Sequence, residues 1–120
     1  MTRINVGINP KELTTKHLIA EHREIKRIPN AVVSGKAVIK DIPDSFRLGA
    51  GHIKFFYNKL GYLLERYKLI YAECLRRKFN VQDYSSAWSG VPEELMGGYT
   101  PTKQDRLIVQ ERINSKLFRS

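Results

Sequence analysis

Between Ile53 and Cys74 the apolar residues Ile53, Phe56, Leu60, Leu63, Tyr67, Ile70 and Cys74 follow one another at alternating steps of three and four. That spacing keeps one stripe of an α-helix turned toward a core. Phe55, Leu64, Leu69 and Tyr71 widen the stripe so far that the helix is expected to be covered on more than one side, as the hub of a small bundle. Lys78-Phe79-Asn80 is the expected end of it. A chain of 120 residues can supply the covering elements for one such core but not for a second domain.

Two further helices are predicted. Asn9-Pro10-Lys11-Glu12 combines an Asn cap, a Pro at the first helical position and a Glu able to bond back to the cap, so a first helix is expected from there to about Ile28, ended by Pro29-Asn30. The punctuation by Ser34-Gly35, Asp41, Pro43-Asp44 and Gly49 predicts an irregular crossing, with Ala37-Val38-Ile39 as a short strand. After a loop over 83–99, Thr100-Pro101 opens a third helix, in which Leu107, Ile108, Ile113 and Leu117 are the expected buried positions. The expected fold is therefore all-α: a compact single-domain bundle of three main helices with long irregular connections, spanning residues 1–120, with no internal repeat.

Lysine and arginine number 21 against 12 aspartates and glutamates, a net charge of +9 that favours a polyanionic partner such as DNA, RNA or an acidic surface. The opening residues have no signal-peptide core, and no run approaches the ~18 apolar residues of a membrane span, so a soluble, cytoplasmic monomer with no membrane partner is expected. Cys74, the lone cysteine, cannot form an intrachain disulfide. His17, His22 and His52 show no closed ligand spacing, so neither a metal nor a cofactor is expected. Gly49-Ala50-Gly51-His52 reads as turn residues before a helix, and without a following Gly-Lys-Ser/Thr it excludes nucleotide binding of the P-loop kind. Tyr57, Tyr62, Tyr67 and Tyr71 read as packing residues of the central helix, and Trp88 as a loop residue able to touch DNA.

On a helical wheel of the first helix, Leu18, Ile25 and Ile28 fall within about 80° of one another and should face the core. Opposite them Lys16, Arg23 and Arg27 lie within about 40°, with His17 and Glu24 nearly eclipsed beside them. Pattern alone makes this a solvated amphipathic face. The start of the chain adds a second element: Thr2 is small enough for Met1 to be removed, which would expose the α-amine of Thr2. An α-amine titrates near 7.7–8.0 against about 10.4 for lysine, so its nucleophilic fraction at neutral pH is roughly a few hundred times larger. Arg3 and nearby cations would depress that value, and a close Glu24 would raise it.

The opening Met1-Thr2-Arg3-Ile4-Asn5, the stretch from His17 to Arg27 (His-Leu-Ile-Ala-Glu-His-Arg-Glu-Ile-Lys-Arg), the stretch from Leu48 to Leu60 (Leu-Gly-Ala-Gly-His-Ile-Lys-Phe-Phe-Tyr-Asn-Lys-Leu) and Ala72-Glu73-Cys74-Leu75-Arg76-Arg77-Lys78-Phe79-Asn80 resemble, in order, the pyrimidine-dimer DNA glycosylase/AP lyase family, the T4 endonuclease V-like enzymes. The resemblance runs from residue 1 to about 117. It implies excision of UV-induced pyrimidine dimers from double-stranded DNA. The Thr2 amine would attack C1′ to form a Schiff base, and β-elimination would then cut the strand. It implies that Glu24 stabilises the cationic sugar and assists proton movement, that His17 is the active-site histidine, and that Arg3, Arg23 and Arg27 grip phosphates at the kinked lesion. Arg23 is grouped with Thr2, Glu24 and His17 as catalytic, and Lys16 with Arg3 and Arg27 as DNA-binding. Two other readings remain: an AP lyase or glycosylase for other damaged bases, and a non-catalytic helical DNA-binding protein.

Overall fold

The computed structural model describes residues 2–119, with side chains described through Lys116. Met1, whose removal the amine chemistry would require, and the side chain of Leu117, an expected core position, lie outside the described residues. The fold is all-α: α1 (Thr15–Glu24), α2 (Arg27–Val33), α3 (His52–Phe55), α4 (Leu60–Arg76) and α5 (Lys103–Arg119), joined by long connections and short 3-10 turns.

The hub is α4, against which α1 packs. Phe56, Leu60, Leu63, Tyr67, Ile70 and Cys74 are all buried, as their spacing predicts, and each large-to-alanine change among them would cost about 2–5 kcal/mol. The widened stripe is less complete than expected, because Leu69 lies on the open side of α4 at 60% exposure. The central helix also does not run unbroken from Ile53. After α3 the chain tightens into a 3-10 turn, Phe56–Asn58, and restarts at Leu60. The break lets another segment approach: Gly97 O accepts from Tyr62 N–H at 3.0 Å. A Cβ on Gly61 would sit 2.5 Å from Met96 O, so only glycine fits there.

The first helix is likewise divided. Asn9 does cap Pro10, its Oδ1 accepting from Lys11 N–H at 3.0 Å, but the turn it starts is a single 3-10 turn that ends at extended Leu13. α1 begins afresh behind Thr14, whose hydroxyl oxygen accepts from His17 N–H. α1 stops at Glu24, earlier than expected, and the carbonyl of Ile25 accepts from Ile28 N–H at 3.3 Å; Pro29, tolerated in a first turn, sits inside α2 instead of ending a helix. Ala37–Ile39 is not a strand: Val38 and Ile39 are exposed, and no strand occurs among the described residues. In α5 the buried positions are Asp105, Val109 and Ile113, while Leu107 turns out to solvent. Trp88 is buried at 4% exposure and donates from Nε1 to Leu60 O at 3.1 Å, so it is a core residue and not a loop residue free to touch DNA.

Residues 2–8 form no regular element, yet Thr2, Ile4, Val6 and Ile8 are buried while Arg3 between them stays partly open. The alternation is that of an extended chain, but Asn5 is buried as well, so at this point the segment is covered on both faces. Backbone groups buried outside helices and sheets need other partners. Ile4 N–H finds His52 Nε2 at 3.0 Å, Ile8 O accepts from Arg66 Nη1 at 3.0 Å, and the carbonyls of Pro10, Lys11 and Leu13 accept from Arg77. His52, Arg66 and Arg77 thus seat the N-terminal segment against the bundle.

Candidate active site

That segment, α1 and α5 enclose a pocket of about 510 Å³. Arg3 and Asn5 come to it from the N-terminal segment, and Thr14, Lys16, His17, Ala20, Glu21 and Glu24 from α1 and its cap. Arg112 and Lys116 come from α5. Four of the residues singled out by sequence, Arg3, Lys16, His17 and Glu24, therefore line one cavity. Thr2 is buried at 5% exposure immediately before Arg3.

Arg23 and Arg27 do not line the pocket, and both are exposed. Arg23 reaches its edge by pairing through Nη2 with Glu24 Oε2 at 3.2 Å. Arg27 belongs to α2, so the wheel that grouped it with Lys16 does not apply. It forms instead a cationic ridge with Arg23 and Lys26 at the α1–α2 junction. Lys26 donates to Arg23 O at 2.6 Å and lies 3.8 Å from the centre of the Tyr84 ring. Partial burial, followed by Arg27 and Arg23, pushes its ammonium below the usual lysine range.

His17 shares a hydrogen bond of 2.8 Å between Nδ1 and Thr14 Oγ1. Burial lowers its pKa below the ordinary histidine value, and Arg112, Lys16 and Arg3 lower it further, while Glu21 opposes them. At neutral pH it is a neutral imidazole in a cationic wall. His52 is fixed as one tautomer: Nε2 accepts from Ile4 N–H, so Nδ1 carries the proton and donates to Arg47 O at 2.9 Å. Burial first, then Arg112 and Arg3, depress its pKa. His22 lies elsewhere, stacked among Tyr67, Tyr71 and Tyr84. The three histidines do not converge, and no group of three or more metal-ligating side chains occurs among the described residues.

Sequence reasoning missed the floor of the pocket. Glu21, 1% exposed, is gripped by Arg66 at both oxygens (2.5 and 3.0 Å) and accepts from Asn5 Nδ2 at 2.7 Å. Arg112 Nη2 in turn donates to Asn5 Oδ1 at 2.5 Å. Neither Asn5 nor Arg112 and Lys116 carried a signal for this place beyond the charge of the last two, because Arg112 meets Asn5 across 107 residues of chain. Chemically the cavity offers two carboxylates with different surroundings: Glu21 fully paired, and Glu24 partly open with one exposed arginine beside it. Four cations lining the cavity, Arg3, Lys16, Arg112 and Lys116, suit it to receive phosphates, and the Glu24 carboxylate suits it to stabilise a developing positive charge at one point.

No helix among the described residues is long and apolar enough to cross a membrane. Compared with known families, residues 1–85 match the family model described as pyrimidine dimer DNA glycosylase, a span that includes Arg3, His17 and Glu24 and stops short of α5.

Proposed function

The chain belongs to the pyrimidine dimer DNA glycosylase family, and on that premise we propose that it excises UV-induced pyrimidine dimers through an imine formed by its own N-terminal amine and then cuts the strand as an AP lyase. The observation that carries this reading is the pocket itself, in which Glu24 and His17 stand among Arg3, Lys16, Arg112 and Lys116 next to the start of the chain.

With Met1 removed, the lone pair of the Thr2 nitrogen attacks C1′ of the damaged nucleotide, and the electrons of the glycosyl bond leave with the base. Glu24, an anion facing C1′, lowers the energy of the cationic sugar as that bond breaks. The attached nitrogen gives up one proton, which Glu24 passes to O4′; its lone pair forms the C=N bond as the C1′–O4′ bond breaks, leaving an iminium ion at C1′ and a free 4′ hydroxyl. Loss of a proton from C2′ to Glu24 then expels the 3′ phosphate by β-elimination, and water releases the amine. Arg3 and Lys16 hold phosphates inside the cavity, and Arg23 and Arg27 hold them along the ridge outside it. Such contacts fix register without reading sequence, so the lesion is selected by how readily its duplex kinks and opens.

Borohydride reduces an imine to a permanent adduct, which gives the test. Adducts are expected with dimer-containing and abasic duplexes and not with undamaged DNA. Adducts with abasic DNA alone would reduce the activity to an AP lyase, and none on any duplex would overturn the mechanism.

A further inference from the structure

Arg112 reaches the pocket from α5, a helix that has to be set against a segment at the other end of the chain. Its hydrogen bond within the pocket goes to neutral Asn5, and among the described residues it forms no ion pair, so its charge is held in place without being neutralised. Asn5 is itself 3% exposed and cannot turn freely. Its Nδ2 donates to Glu21 Oε1 and its Oδ1 accepts from Arg112, so the orientation of the amide is dictated at both ends. Glu21 is immobilised by the two hydrogen bonds from Arg66, and Arg66 by a third to Ile8 O. The chain of contacts is therefore Arg66, Glu21, Asn5, Arg112, and it ends in a cation beside Arg3 and Glu24.

We propose that Asn5 is a positioning residue of the reaction, whose side-chain amide relays the rigid Glu21–Arg66 pair to Arg112 and so fixes that guanidinium over the pocket. The inference rests on the imine chemistry proposed above. An amide is the group that can do this: it offers one donor to the carboxylate and one acceptor to the guanidinium. A carboxylate at this position would repel Glu21 and neutralise Arg112, and an apolar residue would leave both without their partner.

The test is a double-mutant cycle read by single-turnover borohydride trapping on abasic duplex at saturating protein, with duplex affinity measured separately. Asn5→Ala should slow trapping by roughly ten- to a hundredfold, the range for a misplaced group, while affinity stays within about threefold of wild type. In an Arg112→Ala background the same substitution should slow trapping by less than about twofold, because the residue it acts through is gone. If Asn5→Ala multiplies in full onto Arg112→Ala, or leaves the wild-type rate unchanged, the inference is overturned. Circular dichroism checks the fold. Should Asn5→Ala fail to fold, Asn5→Ser, which keeps a polar group beside Glu21 but cannot span to Arg112, takes its place in the cycle with the same expectation. Failure of the wild-type protein itself to give an adduct refutes the imine mechanism, a result distinct from any outcome of the cycle.

Discussion

Arg66 holds Glu21 through both carboxylate oxygens, at 2.5 and 3.0 Å, with the two residues 5% and 1% exposed. Neither charge can be relieved by water, so the pair behaves as one unit. Arg66→Met should therefore destabilise the protein by about 3–5 kcal/mol, the cost of leaving an unmatched buried charge. Adding Glu21→Leu to it should recover part of that loss, because the stranded carboxylate is removed. Guanidinium denaturation of the single and double variants measures both. A double variant less stable than Arg66→Met would mean that the pair is not acting as a unit.

Glu24 differs from Glu21 in being partly open and paired with one exposed arginine. Glu24→Gln keeps the shape of the side chain and removes the anion that the sugar cation needs. Glycosylase and trapping rates should fall by about a thousandfold, with duplex affinity changed by less than roughly tenfold. A glutamine variant that still traps abasic DNA at the normal rate would take Glu24 out of the chemistry.

The nucleophile is tested independently by extending the chain with a residue ahead of Thr2 that cannot be processed away. Thr2 is buried at 5% exposure, so an extension moves or masks the amine without touching the cationic ridge. Trapping should vanish while binding persists. Undiminished trapping by the extended protein would point to a lysine as the amine.

What the sequence disclosed and what it concealed follow from the range of the forces involved. The stripe from Phe56 to Cys74 was legible because it depends on residues one turn apart, and it became the core of α4. The helix breaks between Glu24 and Arg27 and before Leu60 are not legible in the local pattern, which shows neither where a new helix starts nor which segment packs against it. Pro29 is acceptable in the first turn of a new helix, and the interruption before Leu60 admits the backbone of Met96 and Gly97. Arg3, Lys16, His17 and Glu24 were identifiable from a local face and a family resemblance, and they do share a cavity. Arg112 could not be found that way. Its place depends on Asn5, 107 residues earlier.

The acid dependence of stability has a definite sign. Burial depresses the pKa of His17, His22 and His52 below the ordinary value of 6.5. Below about pH 6.5 the unfolded chain then binds protons that the folded one refuses, so stability is full above that pH and declines as pH falls through it. Glu73 adds a second stage. The Arg76 hydrogen bond, supported by Arg77, holds its carboxyl at about 2 against an ordinary 4.5, so its contribution is present above the ordinary value and is lost as pH drops toward 2. Denaturation midpoints at pH 7.5, 6, 4 and 2.5 should fall in that order, and Glu73→Gln should flatten only the last interval. A midpoint unchanged between pH 7.5 and 5 would show that the three imidazoles are not held neutral.

Lys116 offers the cleanest measure of what α5 contributes to binding. It lines the pocket but is exposed, so its removal should leave the fold intact. Each phosphate neutralised by a protein cation releases counterions, and the logarithm of affinity falls with the logarithm of salt by about 0.9 per contact on duplex DNA. Lys116→Ala should therefore shallow the salt slope by about one unit and weaken binding to damaged and undamaged duplexes alike. Lys68 provides the comparison, since it lies on the exposed side of α4 in an ion pair with Glu65 at 3.3 Å. Lys68→Ala should leave the slope as it is. Equal slopes for wild type and Lys116→Ala would remove this lysine from the DNA-facing surface, leaving Arg112 as the cation through which α5 acts.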